Sequence, residues 1–468
     1  MAETLKADYL IVGAGAVGLA FADTLLSDGD VTMIIVDRHS KPGGHWNIAY
    51  PFVKLHQPSA FYGVPSRELS KPGLESEGLN QGLAHLATLP EITAYYDGLM
   101  EERFLPSGRV QYFPQSDFVG DFDGELRFRS LVDGTETVVE ADRVVDATYL
   151  QNTVPANHTP SFEIAEDVDF VPVNDLASRS EFPDDIVVVG GGKTGMDAGL
   201  YLLERGVDPD HIRWIMPRDG WLIDRQNTQP GEAFFSSTIG AQAAQMEAIA
   251  QAQSIPDLFD RLERSGVLLR LDPDVTPKMF HGATISQAEL AELRRINNVI
   301  RMGRVKALNT DEIVLEDGTV PATPNTLHVD CSASAIMNLA TKPIFQGRLI
   351  TPQTVRSYQP VFSASVVAHV EATRETDAEK NQLCGVVPLP NHDTDWVRIM
   401  VPFMMNQYQW SRDPELRSWL ENNRLDGFAK MVRGIPESDT EKRAIIQRMR
   451  DNSMPAMMKL QQFVAELS

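Results

Sequence analysis

Six glycines in two clusters are the residues best placed to hold a charged ligand. Gly13, Gly15 and Gly18 stand in Gly13-Ala-Gly-Ala-Val-Gly18, and Gly190, Gly192 and Gly195 stand in Gly190-Gly-Gly-Lys-Thr-Gly195. Both have the G-x-G-x-x-G spacing. Its first glycine permits a tight turn, its second lets backbone approach a pyrophosphate, and its third lets helix and strand pack closely. The second cluster also contains Gly192-Lys193-Thr194, letters shared with triphosphate-binding loops. Such a loop needs a glycine five residues before the glycine of G-K-T. Val187 occupies that place, within the apolar run Ile186–Val189, so there is no upstream loop to wrap a triphosphate. The second cluster reads as another dinucleotide turn, with Lys193 and Thr194 as cofactor contacts.

Both turns require a strand before them and a helix after them. Tyr9–Val12 and Ile186–Val189 are short apolar runs suited to buried parallel strands. Leu19–Leu26 and Met196–Arg205 follow with helical spacing, and each helix start offers free N–H groups to phosphate. The next strand of the first unit, Val31–Val36, ends in Asp37 with Arg38 beside it, where a carboxylate can accept ribose hydroxyls. The next strand of the second unit, Ile212–Met216, leads to Arg218, whose fork of donors suits a 2′-phosphate. With Lys193 in the loop, this difference in sign favours NADPH over NADH, while Asp219 beside Arg218 argues the other way.

A third segment is rich in backbone freedom: Lys41-Pro-Gly-Gly-His-Trp46, continuing through Asn47-Ile-Ala-Tyr-Pro51 to Gln57. Gly43–Pro51 resembles the G-G-x-W…Y-P segment of class B flavin monooxygenases, which include flavin-containing, Baeyer–Villiger and N-hydroxylating enzymes. The resemblance implies FAD at the first loop, with Gly44, His45, Trp46 and Gln57 as further cofactor contacts. It places Lys54 and His56 beside the flavin as candidate catalytic residues, one stabilising an oxygen adduct or NADP⁺ and the other shuttling a proton. It implies a monooxygenase whose flavin C4a-(hydro)peroxide oxygenates a small organic substrate, with molecular oxygen as co-substrate. Trp221 and Arg225 follow the phosphate-binding arginine as similar stretches do in that family.

The chain also departs from the family pattern. Where the fingerprint F-x-G-x-x-x-H is expected it has Phe170-Val-Pro-Val-Asn-Asp-Leu176, without the histidine. The two A-T-G-like crossings read Ala147-Thr148-Tyr149 and Cys331-Ser332-Ala333. An NAD(P)H-dependent flavoprotein reductase or dehydrogenase without oxygen insertion therefore stays open as the alternative.

The fold expected is α/β with two Rossmann-like dinucleotide-binding domains, the NADPH domain inserted in the FAD domain. The FAD domain takes residues 1–150 and 326–395. The NADPH domain takes 180–325, with a helical insertion around Ala241–Gln253 and a helical run Ile285–Arg295. Residues 396–468 form a helical tail, packing on the FAD domain or making a homodimer contact. Gly303–Leu308 and Ile313–Gly318 show a hairpin pattern, alternating apolar residues with a D-G turn.

Across 468 residues the formal charge is −23, which argues against a nucleic-acid surface and against docking on anionic lipid. The two cysteines, Cys331 and Cys384, form no C-x-x-C, which excludes a dithiol redox centre and a thiolate zinc site; no metal is expected. No run approaches the apolar length of a membrane span, and the N-terminus lacks a signal-peptide pattern, so a cytoplasmic protein is expected.

Overall fold

The computed structural model describes residues 3–70, 72–150, 154–334 and 339–467. Two sheets, one mixed around a parallel centre and one parallel throughout, organise them. The first runs Phe345–Gln346, Leu349–Ile350, Glu136–Asp146, Glu3–Val12, Met33–Val36 and Val110–Phe113 in spatial order. An antiparallel pair, Ser116–Phe118 and Leu126–Ser130, flanks Glu136–Asp146. The second sheet is parallel throughout, in the order Asp169–Pro172, Leu327–Asp330, Ile186–Val189, Ile212–Ile215 and Asn298–Ile300. The chain thus leaves the first sheet after Asp146, builds the second, and returns to the first at Leu349–Ile350, beside Glu136–Asp146. Met33–Val36 and Ile186–Val189 are buried at every position, as continuous apolar runs in parallel strands must be.

A third layer joins parts of the chain far apart in sequence. Strands Gly220–Asp224, Leu268–Leu269 and Met279–Ile285 form a small sheet. Helices Phe235–Gln251, Ile255–Arg264, Asp395–Arg412 and Thr440–Glu466 share an apolar cluster with it. Phe259 stacks on Trp221 at 5.3 Å between ring centroids, with Trp396 against its edge. The tail's last helix therefore packs on the inserted helix Phe235–Gln251. The middle of the tail packs on the first-sheet half: Trp419 stacks on His369 at 4.1 Å, Asp413 pairs with Arg374 at 2.6 Å, and Arg424 donates to the carbonyls of Ala60, Tyr62 and Val64.

Some local expectations shift. Ile285 ends a strand, and the helix after it is Gln287–Leu293, started by a Ser286–Glu289 capping box. The Asp317-Gly318 turn joins Glu312–Leu315 to Gly318–Pro321, making a three-stranded meander with Val305–Leu308. Among the described residues no helix is long and apolar enough to cross a membrane.

Candidate active site

Each glycine loop closes on itself through its first and third glycines. Gly13 has φ +105°, and a Cβ on Gly18 would lie 2.0 Å from the Gly13 carbonyl oxygen. Gly190 has φ +129°, and a Cβ on Gly195 would lie 2.1 Å from the Gly190 oxygen. That oxygen also accepts the indole N–H of buried Trp214 at 2.8 Å. No side chain caps the helix Ala16–Asp28 after the first loop, or Lys193–Glu204 after the second, whereas Ser254, Ser286 and Thr376 cap other helices. The first-turn N–H groups at both loops are thus left for an anion.

The first loop has a cradle against it. Gly44 closes on Gly15 so tightly that a Cβ on Gly44 would meet the Gly15 Cα at 2.9 Å. Asp37 is buried at the end of its strand. Its carboxylate accepts the N–H of Ala14 at 2.6 Å and of His39 at 2.7 Å, leaving further lone pairs for ribose hydroxyls. Burial pushes its carboxyl above the usual range against those two bonds. Arg38 is turned to the surface, paired with Asp117. His45 is pushed down to about 4 by burial and by His39, so it is neutral. The Trp46 indole is buried and donates to the Tyr62 hydroxyl at 2.9 Å.

The second loop is open at Gly192, where an added Cβ would meet nothing within 4 Å. Lys193 is ion-paired with Asp197 on its own helix, and the Tyr50 hydroxyl donates to the other Asp197 oxygen at 2.7 Å. Phe52 stacks on Tyr201 at 4.2 Å, and Thr194 also meets Tyr50. The segment after the first loop is therefore seated on the helix that follows the second.

His56 lies at this junction. Burial first, and then Lys193 and Arg225, hold its imidazole well below the ordinary histidine range. The ring has no hydrogen-bond partner among the described residues. Arg225, 1% exposed, fixes the backbone beneath it. Its guanidinium donates to the His56 carbonyl at 3.1 Å, to Thr284 O at 3.0 Å and to Glu289 at 2.6 Å, and it bonds Asn80. Gln57 donates to the Tyr358 carbonyl at 2.7 Å. Tyr358 is one of two non-glycine residues with positive φ among those described, and its buried hydroxyl has no partner. Lys54 is not drawn into this group: its side chain is exposed and its backbone bridges to Thr88.

Arg218 stands at the end of Ile212–Ile215 and donates to Asn391 Oδ1 at 2.9 Å. Burial, and then the nearby Arg304 guanidinium, push its pKa down. The counter-argument from Asp219 dissolves in the geometry. That carboxylate is buried and held by both arms of Arg301, at 2.8 and 2.9 Å. Arg304 escaped the sequence reading because it lies beyond a different strand. The parallel order of the second sheet, with Asn298–Ile300 next to Ile212–Ile215, brings it beside Arg218. Asn174, in the segment where the fingerprint histidine was expected, donates to the Ile48 carbonyl at 3.1 Å. Both cysteines are free and buried, Cys331 raised well above the usual thiol range by burial.

Residues 11–50 match the NAD(P)-binding Rossmann-like domain family. An uncharacterized protein of Mycobacterium tuberculosis and one of Mycobacterium bovis are each 48% identical over 432 residues, covering 92% of this chain and 79% of theirs. The chain belongs to their family. Among solved structures, the polycyclic ketone monooxygenase of Thermothelomyces thermophila is similar to it at 12% identity with a TM-score of 0.49, over 97% of this chain and 89% of that one.

Proposed function

We propose that the protein is a flavoprotein oxidoreductase that holds FAD at the first loop and NADPH at the second, and that it oxygenates a small organic substrate. One observation carries the two-nucleotide part: both glycine loops open uncapped helices, and the segment beside the first bonds through Tyr50 to Asp197 on the helix that follows the second. The residues fit both groups. The Gly15–Gly44 cradle, the Ala16 helix start and Asp37 would hold FAD; the loop at Gly192 with Arg218 and Arg304 would hold NADPH. Bound FAD supplies a two-electron carrier that accepts hydride from the nicotinamide and passes electrons to oxygen.

The chain's own contribution is position and proton handling. Arg225 fixes the His56 backbone, and the neutral imidazole is left able to accept a proton near the site. Gln57 ties the same segment to Tyr358. Lys193, committed to Asp197, acts in this reading at the contact between the two nucleotide sites. Reduction of an organic acceptor without oxygen insertion is the second reading, favoured by the Asn174–Ile48 bond where the fingerprint histidine is missing.

The purified protein should be yellow and should oxidise NADPH. A flavin-free, colourless protein would end both readings. Stopped-flow mixing of the reduced protein with oxygen separates them: an oxygen-adduct absorbance supports oxygenation, and its absence with rapid dye reduction supports the reductase. Arg218→Ala removes charge-assisted bonds to a 2′-phosphate and should weaken NADPH binding about 10- to 100-fold while sparing NADH. Equal losses for the two nucleotides would refute the phosphate assignment.

A further inference from the structure

The groups around Arg218 come from three separate parts of the chain. Arg218 follows the second-sheet strand, His281 lies on Met279–Ile285, and Asn391 precedes the helix Asp395–Arg412. Asn391 Oδ1 accepts from Arg218 Nη2 at 2.9 Å and meets His281 Nε2 at 3.0 Å. Arginine can only donate, so the shared atom is the amide oxygen and His281 carries its proton on Nε2. Asn391 is itself held, its N–H donating to Asp395 Oδ2 at 2.9 Å. Two donors therefore converge on one neutral oxygen, with the Arg304 guanidinium close behind Arg218. A phosphate offers three strong acceptor oxygens and charge to the same donors.

We propose that His281 and Asn391 complete the 2′-phosphate site, His281 as a direct phosphate contact and Asn391 as the positioning residue that presents Arg218 beside it. The inference rests on the NADPH reading above. It puts part of the nucleotide discrimination outside the nucleotide sheet, in the inserted strand and the segment before the helix Asp395–Arg412. The groups facing His281 are Arg218, Asn391, His392 and Asp395. Burial first, then the Arg218 and His392 charges, keep the free imidazole below the ordinary range against the Asn391 bond and Asp395. A bound phosphate favours the imidazolium and raises that pKa, so NADPH binding takes up a proton. The added affinity is full below the free pKa and is lost as pH rises through the bound one.

The test is a set of binding titrations with NADPH and NADH at about pH 6.5 and about pH 8.5, on either side of an imidazole titration. The proteins compared are the unmodified holoprotein, Arg218→Ala, His281→Gln and Asn391→Ala. In the unmodified protein the NADPH/NADH affinity ratio should be larger at the lower pH. His281→Gln should cut it about 3- to 10-fold there and flatten its pH dependence, the size of one ordinary hydrogen bond. Asn391→Ala should lower it at both pH values. If His281→Gln leaves ratio and pH profile unchanged while Arg218→Ala loses the preference, this inference fails and the NADPH reading stands. If Arg218→Ala also keeps the ratio, or NADPH does not bind, both fall. His281→Asn serves in the same way should the glutamine variant fail a circular-dichroism check of folding.

Discussion

Gly18→Ala should yield a protein that loses most of its flavin. The added methyl would lie 2.0 Å from the Gly13 carbonyl oxygen and 3.2 Å from Ala147 Cβ. Neither neighbour is a flexible side-chain end: one is the turn itself, the other sits on the crossing after Glu136–Asp146. The helix must move off the sheet, and with it the uncapped N–H groups that would face the pyrophosphate in the proposed site. Overpacking of this kind costs about 1–3 kcal/mol. The bound cofactor's contribution to stability should be lost in addition. Flavin-to-protein absorbance ratios and thermal melts check both effects, and a variant with full flavin content and an unchanged melt would refute the role given to this loop. Gly195→Ala is the matching change at the second loop and should reduce NADPH binding.

The second large effect is expected at Glu289. Its carboxylate accepts from Arg225 at 2.6 Å, from Asn80 at 2.8 Å and from the Ser286 N–H at 2.9 Å. Glu289→Ala leaves the Arg225 guanidinium buried without a counter-charge, which costs about 3–5 kcal/mol. Chemical denaturation should show the loss, and His56 should lose its fixed backbone. Burial alone would raise the Glu289 carboxyl, but Arg225, Lys193 and the bonds from Asn80 and Ser286 together hold it below the usual range. The pair's contribution is therefore present above the ordinary carboxylate pKa and disappears as pH falls through the depressed folded one. Acid denaturation of the unmodified protein should be steeper than that of Arg225→Leu/Glu289→Leu, in which no charge is left to neutralise. A double variant with the same acid profile would refute this account.

What the sequence made legible was local. The glycine loops could be read because the steric demand at Gly13, Gly18, Gly190 and Gly195 is met within six residues, and no partner from elsewhere can substitute for it. The strand-ending Arg218 was legible for the same reason. Its neighbours were not, because Arg304, His281 and Asn391 reach it only through sheet order and a strand–loop contact. The Glu289 helix carried a readable signal, the Ser286-Gln-Ala-Glu289 capping box, which an apolar-period reading overlooked. The hairpin of Val305–Leu308 with Glu312–Leu315 was legible from alternation, whereas the third strand that the D-G turn leads into, Gly318–Pro321, was not.

The apolar layer shared by the inserted helices and the tail has a consequence for synthesis. Phe235–Gln251 leaves the ribosome long before Asp395–Arg412 and Thr440–Glu466, so the face of Trp221, Phe259 and Met246 lacks its full cover while most of the remaining chain is made. Contacts this distant along the chain form late. The nascent protein therefore carries a sticky half-domain that Asp395–Arg412 covers only in part and its last helix completes, and this is the interval in which a chaperone would be most needed.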